Sequence, residues 1–197
     1  MEKKKLLLHS CCAPCSTAVI ERLVDEFDIS ILYYNPNIYP EDEYLKRKSE
    51  EIKYLKILKE KGIADILLLD HDYESEKFYE AVKGLEKERE GGARCAVCFR
   101  LRLKETARIA KKEEFDLFGT TLTVSPHKNA ELINLIGKEI EKEENIQFLV
   151  SNFKKQNGYK RSVELAKEND LYRQNYCGCE FGYNQQLKEA PESLNKR

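Results

Sequence analysis

Seven cysteines give this sequence its chemistry, and they fall into three tight groups: Cys11-Cys12-Ala13-Pro14-Cys15, Cys95-Ala96-Val97-Cys98 and Cys177-Gly178-Cys179. None stands alone, whereas a cysteine kept for packing is usually solitary and inert. Cys-x-x-Cys lets two thiolates converge on one metal or cluster, above all at a helix start, where free N–H groups favour negative sulfur. Cys12–Cys15 and Cys95–Cys98 have that spacing. Cys-Gly-Cys is too tight for an ordinary helix. It suits a strained redox disulfide, or two ligands on a loop that glycine allows to bend. A closed zinc site takes four ligands, so seven thiols exceed one zinc. An iron–sulfur cluster takes up to four cysteines and leaves thiols for a second metal or a redox pair. The spacing favours iron–sulfur and leaves zinc open.

Three further polar segments could take part. Thr120–Lys128 is rich in hydroxyls and runs into a helix; it could bind phosphate, or place His127 and Lys128 as proton donors, or simply cap the helix. Lys154, Lys155, Lys160, Arg161 and Arg173 interleave with aromatic residues, a pattern that suits RNA backbone and stacked bases and equally suits a solvated loop. Asp72, in Asp70-His71-Asp72, could supply a hard ligand, although such a run more often forms a solvated turn.

Strands and helices must position these groups. Apolar runs at 5–10, 29–34, 66–69, 117–121 and 147–150 read as five strands. Amphipathic stretches at 14–27, 41–61, 75–87, 98–112, 129–143, 159–168 and 183–190 read as helices. On the second helix, Leu45, Ile52, Leu55 and Leu58 are expected to face the core. The alternation predicts an α/β fold, a parallel sheet with helices on both faces. With strand order 3-2-1-4-5, strands one and four flank the switch point where such sheets bind ligands. Cys11 and Cys12 follow strand one, and Thr123, Ser125, His127 and Lys128 follow strand four. We expect a single domain over 1–197, with a core over 1–150 and a C-terminal extension over 151–197 carrying Cys177 and Cys179.

The net charge of −1 argues against a general nucleic-acid coat and leaves room only for a local basic patch. The apolar run near the N-terminus is only Leu6–Leu8, against the roughly 7–15 residues of a secretory core, and no stretch is long enough to span a membrane. A cytoplasmic location without membrane contact is expected, where clustered cysteines mean metal or redox chemistry.

Five segments in this order resemble one family: His9-Ser10-Cys11-Cys12-Ala13-Pro14-Cys15-Ser16; Tyr34-Asn35-Pro36-Asn37-Ile38; Gly92-Ala93-Arg94-Cys95-Ala96-Val97-Cys98-Phe99-Arg100-Leu101-Arg102-Leu103; Thr120–Lys128; and Tyr172-Arg173-Gln174-Asn175-Tyr176-Cys177-Gly178-Cys179. They resemble the QueH-type epoxyqueuosine reductases, the cobalamin-independent enzymes of queuosine biosynthesis. The resemblance spans about residues 4–182. It implies a HUP-type Rossmannoid fold akin to PP-loop ATPases, with the Cys-Cys segment where those enzymes keep a phosphate loop. It implies a [4Fe-4S] cluster on Cys11, Cys12, Cys95 and Cys98. It implies a redox role for Cys177 and Cys179, or a second, mononuclear iron there with a carboxylate such as Asp72. His127 is then a proton donor, and Lys128, Lys154, Lys155, Arg161 and Arg173 contact the substrate. The implied partners are tRNA bearing epoxyqueuosine and a ferredoxin- or flavodoxin-like electron donor. Cys15 has no role assigned. Two other readings stay open. One is a cluster-dependent PP-loop-like tRNA thiolase, which would need a glycine-rich loop that is absent after strand one. The other is a zinc-stabilised RNA-binding module.

Overall fold

The computed structural model describes residues 3–189, so Ala190, the expected end of the last helix, and the rest of the extension to 197 lie outside the described residues. Five parallel strands form one sheet in the order β3-β2-β1-β4-β5. They are β1 (Lys4–His9), β2 (Phe27–Tyr33), β3 (Leu67–Asp70), β4 (Leu117–Thr120) and β5 (Gln147–Phe148). β1 is central, between β2 and β4. Its Leu6, Leu7 and Leu8 are fully buried, as a strand covered on both faces requires.

The helices are α1 (Ala13–Leu23), α2 (Glu41–Glu60), α3 (Ser75–Ala81), α4 (Ala93–Lys112), α5 (Ala130–Glu144), α6 (Gly158–Glu168) and α7 (Glu180–Glu189). Side chains of β1 alternate between two cores. Leu6 and Leu8 pack with Val19 and Ile20 of α1 and with Tyr54, Leu55 and Leu58 of α2. Leu7 packs on the other face with Leu103 and Ala107 of α4 and Ile133 and Ile140 of α5. Gly137 lets α5 close on that face, because a Cβ there would meet the Phe148 ring at 2.3 Å.

Several boundaries differ from the expected ones. α1 stops at Leu23 and α3 at Ala81, well short of Phe27 and Lys87. Residues between α3 and α4 turn instead, with Gly84 and Gly91 at positive φ. α4 begins at Ala93 behind Gly92, five residues before Cys98. α2 presents a different face from the one expected. Leu45 and Ile52 are about half exposed, at 51% and 49%. The buried stripe is Tyr44, Arg47, Glu51, Tyr54, Leu55 and Leu58, which follows helical spacing but contains two charges.

Candidate metal centre

The switch point lies where β1 and β4 end side by side. His9 braces that edge. Its Nε2 donates to the Tyr34 carbonyl at 3.1 Å, which leaves Nδ1 to accept from the Thr120 hydroxyl at 3.1 Å. Burial, and then the charge of Arg102, lowers the His9 pKa to about 4, so the ring is neutral at physiological pH.

The chain leaves β1 extended through Cys12, the N-cap of α1, and Pro14 then starts the helix. This geometry turns three sulfurs toward one point: the Sγ atoms of Cys11, Cys12 and Cys15 all lie within 4.8 Å of one another. Cys15, unassigned from sequence, thus joins the first two. Cys11 and Cys12 sulfurs are 3.8 Å apart. The three thiols divide one charge unequally. Donation from Cys12 and then Cys15 holds the Cys11 thiol well below its usual pKa. The Cys11 sulfur in turn pushes Cys12 up to about 12 and raises Cys15. Thiolates this close repel one another, and a bound metal would supply the positive charge that lets them ionise together. The triad is capable of holding a metal, and its soft sulfur donors suit iron–sulfur or zinc.

Cys95 and Cys98 lie one turn apart on α4, and Cys177 and Cys179 on the loop before α7. Cys98 packs with Cys179, Phe78 and Val82. Burial pushes the Cys98 thiol up to about 12 and raises Cys95 and Cys179. Negative charge on Cys177 would bear on both thiols of α4. The loop is fixed from α2. Arg47 donates to the Cys177 carbonyl at 3.2 Å and to that of Tyr176 at 3.4 Å, while Glu43 holds its Nε at 2.7 Å. Gly178 closes the dock: its carbonyl accepts from Tyr39 N at 2.8 Å, and its φ is +129°.

Arg102 is the residue that sequence reasoning missed and that bears most on the metal. It is 2% exposed, its Nε donates to the Cys98 carbonyl at 3.2 Å, and its Nη2 has no hydrogen-bond partner among the described residues. Burial acts against its charge, but the sulfurs of Cys98, Cys11, Cys177 and Cys95 outweigh that and raise its pKa. Lys128 is held charged the same way, by Cys177, Cys11 and Cys15. A buried guanidinium without a carboxylate calls for an anionic partner. Several thiolates around an iron–sulfur cluster carry net negative charge, so the residues present fit such a group.

Below the first cysteine group lies Glu51, fully buried. Ser10 donates to its Oε2 at 2.9 Å and Ser16 to its Oε1 at 2.6 Å, so one carboxyl ties together both ends of the cysteine loop. Burial raises its pKa to about 7, above the usual carboxylate value. Because the folded pKa is raised, the neutral acid is the favoured form. Stability is full below the unfolded pKa near 4.5 and declines as pH rises to about 7. In the metal-free protein, Glu51→Gln should remove that decline, leaving it about 3 kcal/mol more stable than wild type at pH 8 and no more stable at pH 4. Anaerobic urea unfolding at the two pH values tests this, and parallel losses for both proteins would refute it.

A cavity of about 710 Å³ opens beside the centre, lined by Cys15, His127, Lys128, Arg173, Gln174 and Cys177 among others. Lys154 donates to the Lys128 carbonyl at 2.6 Å. Arg161 lies elsewhere, with Lys160 in a separate depression, and its guanidinium is engaged by Glu21, Glu164 and Glu168. The Lys155 carbonyl accepts from Arg22 beside that depression. Asp72 is exposed after β3 and is outside the group of converging metal-competent atoms.

The family model for epoxyqueuosine reductase QueH matches residues 6–185. The chain belongs to the QueH epoxyqueuosine reductase family. A QueH from Staphylococcus epidermidis is 43% identical over 182 residues, covering 91% of this chain and 76% of that protein. One from Streptococcus pyogenes is 44% identical, covering 91% and 70%. One from Thermotoga maritima is 36% identical over 198 residues, covering 98% and 97%. The family is one of oxidoreductases in queuosine biosynthesis. A solved structure described as a predicted subunit of tRNA methyltransferase from Methanocaldococcus jannaschii shares the fold, with TM-score 0.50 at 16% identity over 83% of this chain and 75% of that one. The expected parallel sheet, its 3-2-1-4-5 order and the expected family are all borne out. Among the described residues no helix is long and apolar enough to cross a membrane.

Proposed function

We propose that this chain reduces epoxyqueuosine to queuosine at the wobble position of a tRNA anticodon, the last step of queuosine biosynthesis. Two electrons and two protons remove the epoxide oxygen as water and leave a carbon–carbon double bond. Family membership and one observation carry the reading: three converging sulfurs at the switch point, one of which lines a cavity large enough for a nucleoside.

Cys11, Cys12, Cys95 and Cys98 would hold a [4Fe-4S] cluster, which passes electrons one at a time. Cys177 and Cys179 would be the adjacent redox pair, or the ligands of a further iron with Asp72. Arg102 and Lys128 hold positive charge against the sulfurs. His127, on the cavity wall, would deliver a proton to the departing oxygen. Lys128 and Arg173 would grip phosphate at the cavity, with Lys154 behind them. Lys155 and Arg161 belong to the outer edge of the tRNA footprint, and Arg161 would have to exchange Glu21 for phosphate. The chain would work as one α/β unit over 1–197, its segment 151–197 bringing Cys177 and Cys179 to the core. A ferredoxin- or flavodoxin-like donor would supply electrons in the cytoplasm.

The test is anaerobic reconstitution with iron and sulfide counted, then incubation with epoxyqueuosine-bearing tRNA and a strong reductant. Queuosine formed by protein carrying four irons is the expected result. A full cluster with no queuosine would sink the activity, and a colourless preparation holding zinc would sink the cofactor.

A further inference from the structure

One contact ties the C-terminal segment directly to the first cysteine group. The side-chain Nε2 of Gln174 lies 2.9 Å from the Cys12 sulfur. A thiolate or a ligating sulfur offers only an acceptor, so the amide must present its N–H there. That fixes the other end of the amide. Oε1 of Gln174 is buried and has no hydrogen-bond partner among the described residues. Gln174 is also among the residues that line the cavity. Its side chain therefore has its donor end on a sulfur and its acceptor end enclosed by protein.

Hydrogen bonds to ligand sulfurs raise the potential of an iron–sulfur centre by stabilising the more negative, reduced state. We propose that Gln174 is a positioning residue that donates to the Cys12 sulfur and so makes the centre easier to reduce. This rests on the reading of the site as an iron–sulfur centre acting on a tRNA nucleoside.

The experiment is an anaerobic redox titration, followed by electron paramagnetic resonance, of reconstituted wild type, Gln174→Leu and Gln174→Met. Loss of the donor should lower the midpoint in Gln174→Leu. At a fixed potential its reduced-to-oxidised ratio should fall about fivefold, the effect of one hydrogen bond of ordinary net strength. Gln174→Met keeps the length, offers no donor, and should fall as far. Equal midpoints in all three proteins at equal iron content would overturn the assignment. Its failure can be told apart from failure of the proposed activity. Unmoved midpoints beside full queuosine formation reject Gln174 alone. Moved midpoints in a protein that forms no queuosine reject the activity and leave Gln174 in place.

Discussion

Replacing Cys95 with alanine is expected to strip the cluster and to cut epoxyqueuosine reduction by at least about a hundredfold, more than the loss of a partner that only orients a ligand. Cys95 sits in the first turn of α4, where the Gly91 N–H donates to its sulfur at 3.2 Å and offsets part of the burial that raises its pKa. The first group cannot complete four ligands alone, since it holds three sulfurs. The matching control is Cys15→Ala, which should keep four irons per chain if Cys11, Cys12, Cys95 and Cys98 are the ligands. Iron and sulfide counts with the visible absorption of the reconstituted proteins decide between them. An intact cluster in Cys95→Ala, or a lost one in Cys15→Ala, would put Cys15 in the ligand set instead.

Arg102→Met should act with opposite signs on two forms of the same protein. In the metal-free chain the guanidinium is buried with an unpaired Nη2, and the Cys98 thiol beside it is protonated at neutral pH. Substituting an apolar side chain of similar length removes a buried charge that the mostly protonated thiols of the metal-free chain compensate only in part, and with it a desolvation cost of several kcal/mol. The loss of its hydrogen bond to the Cys98 carbonyl costs back about 1 kcal/mol. The metal-free variant should therefore melt at or above the wild-type temperature. The reconstituted variant should hold less iron, show a lower midpoint potential and reduce substrate at least about tenfold more slowly. A metal-free melting temperature that drops sharply would show that Arg102 is structural and that its charge is satisfied without the metal.

The sheet was legible because β1 consists of apolar residues bounded by polar ones, and because two strand ends concentrate unusual residues at one edge. Both are local patterns. The buried charges were harder to read. On α2, Leu45 and Ile52 looked like core residues because apolar side chains usually are, yet the stripe that packs contains Arg47 and Glu51. The spacing of Tyr44, Arg47, Glu51, Tyr54 and Leu58 carried that signal. It was obscured by the expectation that charge on a helix faces water. Arg102 was hidden similarly, one turn after Cys98 in a helix with many basic residues. The contacts of Gln174 and Arg47 join positions more than a hundred residues apart, and no local pattern predicts them. α4 starts at Ala93, five residues before the expected Cys98. Gly92 caps that helix, and Arg94 turns back to the carbonyls of Leu85, Glu86 and Glu88.

The dock of the Cys-Gly-Cys loop has a consequence for how this protein can vary. Arg47 grips two carbonyls, and Tyr39 binds a third through its own backbone N–H. These three anchors on the loop are main-chain atoms, which every amino acid supplies, and the Tyr176 side chain adds a further contact to the Tyr39 carbonyl. Relatives can therefore exchange the side chain at 176 at the loss of that one hydroxyl contact, whereas Cys177 is kept by its chemistry. Position 178 is kept by its backbone, because a Cβ there would lie 3.1 Å from the Arg47 guanidinium and the backbone is in a region side chains avoid. Sequence drift at the remaining positions of this loop can alter what the cavity recognises, as long as the two cysteines, the glycine and the arginine stay.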